Sequence, residues 1–108
     1  DNSTYEKSLR EQVDLEVADK VVSDLTIHGK VQGVYFRQSS QEIATKVNLC
    51  GWVKNNTNKT VSMLITGNKE NCKQMINWCK KGSNQANVTA IQIQEEHITY
   101  LKKQFTIQ

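Results

Sequence analysis

The sequence predicts an α+β fold in which an antiparallel sheet carries two helices on one of its faces. The chain has 108 residues, which suits a single domain. Short runs of alternating apolar and polar residues are typical of strands, and two segments repeat apolar residues at helical spacing. No run approaches the roughly 20 apolar residues that a membrane span needs, so we expect no membrane partner.

The first half of the chain predicts a strand, a helix and a second strand. Apolar and polar residues alternate from Leu25 into Val31, which indicates strand 1. A loop with two glycines follows, and from Tyr35 to Val47 the apolar residues fall on one helical face. Residues 50–55 indicate strand 2. The crossover between the two strands is expected to be right-handed.

The second half predicts a hairpin, a helix and further strands. A polar turn at residues 56–59 precedes strand 3, which we expect to end at Gly67. Helix 2 is indicated by apolar residues spaced helically from Cys72 to Cys79, with Gly82 expected in the αL conformation after it. Residues 88–93 or beyond indicate strand 4, and residues 105–107 indicate strand 5. The order β-α-β-β-α-β is the split βαβ, ferredoxin-like pattern.

Charge is distributed unevenly along the chain. Residues 1–24 hold seven acidic and three basic residues, whereas residues 25–108 hold eleven basic and four acidic ones. We assign residues 1–22 to a polar N-terminal extension and residues 23–108 to the folded domain. The positive charge of that domain favours an anionic partner.

The cysteines predict the redox environment of the chain. Cys50, Cys72 and Cys79 make an odd number, and no two of them have CxxC spacing. This pattern argues against a disulfide framework and against a zinc site. Reduced thiols and a cytoplasmic location are therefore expected.

The segment from His28 to Arg37 is the first candidate for chemistry. A predicted strand ends there, a loop with two glycines follows, and a helix begins. Such a loop can turn its amides inward as an anion-binding nest, and a helix N-terminus adds unpaired donors. Arg37 is placed to bind phosphate oxygens through its planar fork. From the residues alone, a tight turn beside a surface arginine remains the alternative.

The segment from Cys50 to Asn55 is the second candidate. Strand 2 is expected to lie near the end of the first strand-helix unit. Asn55, at the end of strand 2, can then place its side-chain carbonyl and amide beside a bound anion. An asparagine in an ordinary hairpin turn is the alternative.

Together these two segments resemble the acylphosphatase family. Residues 29–37, GKVQGVYFR, match the family pattern G-x-V-Q-G-V-x-[FY]-R, and residues 51–55, GWVKN, match G-W-V-x-N. The resemblance covers roughly residues 24–108 and implies the same ferredoxin-like fold. It also implies hydrolysis of the carboxyl-phosphate anhydride of small acyl phosphates, which releases inorganic phosphate.

The resemblance assigns a role to individual residues. Arg37 would clamp the phosphate, and Asn55 would orient the attacking water. The reaction would need no metal, no cofactor and no phosphoenzyme, and we expect a monomer. The phosphate-binding residues that the resemblance implies are Gly29, Lys30, Val31, Gln32, Gly33 and Val34.

Three positions depart from the family pattern, and two other functions remain open. Lys59 replaces a common glycine, which predicts a strained or altered turn, Ser83-Asn84 predicts a looser loop after helix 2, and Gln108 replaces an aromatic or basic last residue. A catalytically silent domain of this family is one alternative. A nucleic-acid-binding module is the other, although strands 1 and 3 lack the aromatic residues on which bases stack.

Overall fold

A computed structural model of the chain describes residues 20–97 and 105–108, and this part contains two helices and five strands. Residues 1–19, most of the predicted N-terminal extension, lie outside it. The predicted order of elements is confirmed. In chain order the elements are β1 (Lys20–Lys30), α1 (Phe36–Lys46), β2 (Cys50–Asn55), β3 (Val61–Asn68), α2 (Lys69–Lys81), β4 (Asn87–His97) and β5 (Phe105–Ile107).

The sheet has the strand order β4-β1-β3-β2-β5. β1 pairs antiparallel with β3 and β4, and β2 pairs antiparallel with β3. β5 lies parallel to β2, with Phe105 opposite Gly51 and Ile107 opposite Val53, so the five-stranded sheet is mixed. The reason is directional: β4 runs against β2, and a chain that reverses after β4 reaches the free edge of β2 in the direction of β2.

Both helices pack on one face of the sheet, as predicted. Alternate residues of β1 are buried, because successive side chains of a strand point to opposite faces. The buried residues of α2, Cys72, Met75 and Cys79, share one face of the helix and join the core of the sheet. The rings of Phe36 and Trp78 meet at a centroid distance of 5.2 Å and connect α1 to α2.

Several ends of elements differ from the predictions, among them the start of β1, the end of β3 and the end of α2. β1 begins at Lys20, five residues before the predicted start, and Val21 is fully buried opposite Gly67. β3 continues through Gly67 to Asn68, because these two residues pair with Val21 and Lys20 at the start of β1. Gly82 has φ 75° but ψ −164°, which is not αL; its amide still closes α2 on the Trp78 carbonyl at 2.7 Å.

Neither helix in the described part of the chain is long and apolar enough to span a membrane.

Candidate active site

The loop between β1 and α1 presents a row of unpaired amides. Gly33 and Tyr35 both have positive φ, 73° and 61°, on either side of Val34. Left-handed residues alternating with ordinary ones turn neighbouring amides toward one point, as in anion-binding nests. Within residues 20–97 and 105–108, no acceptor takes a hydrogen bond from the amides of residues 32–35. The first turn of α1 adds further free amides beside them.

The same loop is fixed in place from two sides. The side-chain amide of Gln32 donates to the carbonyls of Asn56 and Thr60 at 2.8 and 2.9 Å. The hydroxyl of Ser83 donates to the Val34 carbonyl at 2.7 Å. Ser83 belongs to the segment predicted to be looser, and its hydroxyl instead connects that segment to the loop. The free amides are therefore held in a defined arrangement.

The hairpin turn after β2 carries the second predicted site residue. Asn55 ends β2 opposite Val61, and among the described residues its side chain has no hydrogen-bond partner. The turn that follows is closed by the Asn56 amide, which donates to the Thr60 carbonyl at 2.9 Å. Lys59 has φ 71°, so the predicted strain lies at this residue. The side chain of Asn55 is thus exposed and free to bind a solvent molecule or ligand.

A cavity of about 640 Å³ brings the two segments together. Four of the predicted site residues line it: Arg37, Asn55, Val31 and Gly33. The other four predicted residues, Gly29, Lys30, Gln32 and Val34, do not. The lining also includes residues that the sequence did not single out for a site, namely Tyr35, Phe36, Gln38, Gln41 and Ile107.

The four predicted site residues that do not line the cavity lie in β1 or in the loop that follows it. Gly29 and Lys30 end β1, where the register of its pairing with β4 shifts between His28 and Gly29. Gln32 forms the connection to the hairpin turn, and the Val34 side chain is buried in the core. Their contribution to a phosphate site would therefore come from backbone position and support.

Arg37 supplies the charge of the cavity. It lies in the first turn of α1, is half-buried, and donates through Nη1 to the Gln108 carbonyl at a long 3.4 Å. Among the described residues of the lining it is the only charged one, and no carboxylate faces it there. One guanidinium beside several free amides is an arrangement that favours an anion, and above all a phosphate.

Other reactive groups lie apart from the cavity. The three cysteines are free, and none belongs to the described lining. Burial raises the pKa of Cys79 to about 12, and burial together with the nearby Glu95 raises the pKa of Cys72 to about 11. The part of the chain that the structure describes holds no group of three His, Cys, Asp or Glu residues placed to bind a metal.

Sequence patterns did not identify Ile107 and Gln41 as lining residues. Ile107 reaches the cavity through the parallel pairing of β5 with β2, which leaves no local signal. Gln41 is one helical turn beyond Arg37 on α1, so its position followed from helical spacing once Arg37 was chosen.

The chain is similar to known proteins over most of its length. The Acylphosphatase family model matches residues 23–107. The chain is 34% identical over 80 residues to an acylphosphatase of Geotalea uraniireducens, covering 74% of this chain and 88% of that protein. It is 46% identical over 66 residues to an acylphosphatase of Colwellia psychrerythraea, covering 61% of this chain and 74% of that protein.

Solved structures show the same fold. The crystal structure of acylphosphatase from Bacillus subtilis matches with a TM-score of 0.78 at 32% identity, covering 81% of this chain and 97% of that one. The structure of an acylphosphatase from Coxiella burnetii also gives 0.78, at 29% identity and coverages of 83% and 94%. The predicted ferredoxin-like α+β fold is thereby confirmed.

Proposed function

Because this chain belongs to the acylphosphatase family, we propose that it hydrolyses acyl phosphates in the cavity between the β1–α1 loop and Asn55. The enzyme class, acyl phosphate hydrolase, follows from the family; the residue roles are our proposal. One observation supports them above all: unpaired loop amides lie beside a cavity, and Arg37 is the only charged residue among the described residues that line this cavity.

Phosphate binding comes first in the proposed mechanism. The amides of residues 32–35 and of the first turn of α1 donate to the phosphate oxygens, where the helix dipole adds positive potential. Arg37 donates two further hydrogen bonds through its fork. These donors are fixed before the substrate arrives, so they stabilise charge that develops in the transition state at little cost of reorganisation.

Hydrolysis then needs one oriented water. The side-chain carbonyl of Asn55 accepts a hydrogen bond from the water, and its amide donates to a phosphate oxygen. The water oxygen forms a bond to phosphorus, and the bond from phosphorus to the carboxyl oxygen breaks with its electron pair. The carboxylate leaves, and the protons of the water pass to phosphate and solvent.

This substrate makes few demands on the enzyme. The leaving carboxylate has a conjugate acid with a pKa near 4, so it departs without a general acid. The transition state of phosphoryl transfer is loose, so the water is deprotonated late. The proposal therefore uses no metal, no cofactor and no phosphoenzyme. What it asks of Arg37 and Asn55 is charge neutralisation and in-line positioning.

We also propose that the chain works as a cytoplasmic monomer on small molecules and not on nucleic acid. Three free cysteines, two of them buried, suit a reducing compartment. β1 and β3 expose no aromatic residue on which a base would stack. A sedimentation measurement and a nucleic-acid binding assay test these statements directly.

The residue roles are tested with benzoyl phosphate in the presence of EDTA. Arg37→Ala and Asn55→Ala are each expected to lower kcat/KM by about 10²–10³, the usual effect of losing one such donor. Asn84→Ala and Lys80→Ala, on exposed residues away from the cavity, are the matched controls. Circular dichroism checks that every variant keeps the fold.

Inorganic phosphate provides a second readout. We expect it to inhibit the wild-type enzyme competitively and to bind Arg37→Ala much more weakly, because both ligands use the same donors. Wild-type rates in both site variants, with phosphate inhibition intact, would contradict the proposed roles.

A further inference from the structure

The face of the sheet that lies away from the helices carries a half-buried thiol at the start of β2. Cys50, Trp52 and Lys54 alternate with the inward residues of this strand, and the Lys54 ammonium lies 5.3 Å from the centre of the Trp52 ring on that face. Cys50 pairs directly with Thr66 of β3. Directly paired residues of antiparallel strands project their side chains to the same face, with Cβ atoms about 4.5–5.5 Å apart. The thiol and the Thr66 hydroxyl are therefore neighbours.

Thr66 holds a polar group that the fold leaves unused. Its side chain is 2% exposed, and among the described residues its Oγ1 has no hydrogen-bond partner. A hydroxyl that loses water without gaining a partner costs free energy, so it calls for an explanation such as a redox role or a bound species. Cys50 of β2 and Val22 of β1 are its partners on the two neighbouring strands. Of these two side chains, only the thiol is reactive.

Cys50 is also the one cysteine of the chain that a dissolved reagent can reach. Cys72 and Cys79 are fully buried in the core, and burial raises their pKa values to about 11 and about 12. Both therefore stay protonated and out of contact with solvent, whereas an oxidant reacts with a thiolate. Cys50 is half-buried and free. Oxidation of this chain is thus directed to one thiol.

We propose that Cys50 is a site of reversible oxidation to sulfenic acid by peroxides, and that the Thr66 hydroxyl binds the added oxygen. The Cys50 thiol gives up its proton, its sulfur forms a bond to one peroxide oxygen, and the O–O bond breaks with its electron pair on the other oxygen. With hydrogen peroxide, that other oxygen takes up the proton and leaves as water, so sulfur loses two electrons and the peroxide gains them. The sulfenic oxygen reaches beyond the sulfur, and the O–H of Thr66 donates a hydrogen bond to it.

This site is separate from the proposed hydrolysis. No cysteine belongs to the described lining of the cavity, and Cys50 and Asn55 stand at opposite ends of β2, about 16 Å apart at the usual rise per residue of a strand. The oxidation of Cys50 can therefore be measured whether or not the chain hydrolyses acyl phosphates. The two proposals fail or hold independently.

The site is tested with hydrogen peroxide followed by dimedone, which traps sulfenic acids, and peptide mass spectrometry locates the adduct. We expect the adduct on Cys50 and not on Cys72 or Cys79, and Cys50→Ser should abolish it. Excess thiol added before dimedone should also abolish it, because thiols reduce a sulfenic acid. The site would be overturned by equal labelling of all three cysteines, or by a folded chain without an adduct on Cys50 under conditions that label Cys50 in urea.

The role of Thr66 is tested by the lifetime of the sulfenic acid after catalase has removed the peroxide. Thr66→Val keeps the shape of the side chain and removes the hydroxyl. We expect it to shorten the lifetime about fivefold, the effect of one hydrogen bond of ordinary strength. Thr66→Ser keeps a hydroxyl at this position and should keep the wild-type lifetime.

Ser23→Ala is the matched control. It also removes a buried hydroxyl that has no partner among the described residues, but Ser23 lies on the side of the sheet that faces the helices. Its sulfenic acid should live as long as that of the wild type. Equal lifetimes in Thr66→Val and wild type would refute the role of Thr66. A lifetime in Ser23→Ala as short as in Thr66→Val would refute it too, because the effect would then follow from lost stability.

Discussion

At the scale of single residues, Gly33 shows how the loop keeps its space open. Its φ of 73° is left-handed, and a Cβ built on it would meet no atom within 4 Å. Gly33 lines the cavity, so that open space belongs to the proposed phosphate site. A side chain here would both strain the backbone and occupy room that a ligand needs.

Gly33→Ala is therefore expected to weaken phosphate binding at least tenfold. The added methyl group would project into the open space, and the positive φ would destabilise the fold by about 1 kcal/mol or more. Isothermal titration with inorganic phosphate measures the first effect, and urea unfolding measures the second. Wild-type phosphate affinity in this variant would place the anion elsewhere in the cavity.

Lys59→Gly is expected to stabilise the protein by about 0.5–1 kcal/mol. Lys59 has φ 71°, a conformation that lowers the free energy of unfolding by about 1–2 kcal/mol when the residue has a Cβ. Glycine avoids this strain, and its own entropic penalty offsets only part of the gain. The control Lys59→Ala removes the charge without relieving the backbone and should bring no gain. Urea denaturation compares the three proteins, and a gain in Lys59→Ala alone would assign the effect to charge.

At the scale of elements, Gln32 connects the β1–α1 loop to the β2–β3 turn. Its two hydrogen bonds reach the carbonyls of Asn56 and Thr60, directly after Asn55. In the proposed mechanism this contact sets the position of the Asn55 side chain relative to the amides of the β1–α1 loop. We therefore propose Gln32 as a positioning residue, since the loop amides remain available without its side chain.

Gln32→Met removes both hydrogen bonds and keeps the length of the side chain. We expect kcat to fall about tenfold while the inhibition constant for phosphate changes much less, because the amides stay in the loop. The fold should lose about 1–3 kcal/mol, the range for two hydrogen bonds. Gln94→Met, on an exposed residue of β4, is the control. Equal losses in kcat and in phosphate affinity would argue for general damage to the loop.

The elements also show how far the sequence alone can lead. Alternation and helical spacing located all the elements, and β2 and β5 were predicted with their observed bounds. The start of β1 was missed because Lys20, Ser23 and Asp24 obscure an alternation whose inward residues are buried. The two motifs indicated Arg37 and Asn55 through a family resemblance, and both line the cavity. The position of Ile107 at the cavity depends on the pairing of β5 with β2, which the spacing of residues along the chain does not reveal.

At the scale of the whole molecule, the buried thiol of Cys79 makes the free energy of unfolding depend on pH. Burial raises the pKa of Cys79 to about 12 in the folded protein, above its ordinary value of 9.0. The folded state therefore keeps this proton to higher pH than the unfolded state does. The resulting stabilisation is complete below pH 9 and is lost as the pH rises from 9 toward 12.

We accordingly expect the free energy of unfolding to fall above pH 9, with Cys79 contributing about 1.4 kcal/mol per pH unit. Cys79→Ala should have a shallower slope between pH 9 and pH 11, whatever its stability at neutral pH. Ser40→Ala, which removes a buried hydroxyl that does not titrate in this range, is the control and should keep the wild-type slope. Urea titrations across this range provide the measurement, and parallel slopes in all three proteins would contradict the assignment to Cys79.

The strand order β4-β1-β3-β2-β5 also bears on how the chain reaches its native state. Among the described strands, β2 and β3 alone are neighbours both in sequence and in the sheet, so most pairings close long loops before they gain any contact. Such topologies refold slowly, typically in milliseconds to seconds. The chain contains no proline, so peptide-bond isomerisation adds no slow phase to its refolding. The entropy lost in closing these loops is thus expected to be the main determinant of its refolding rate.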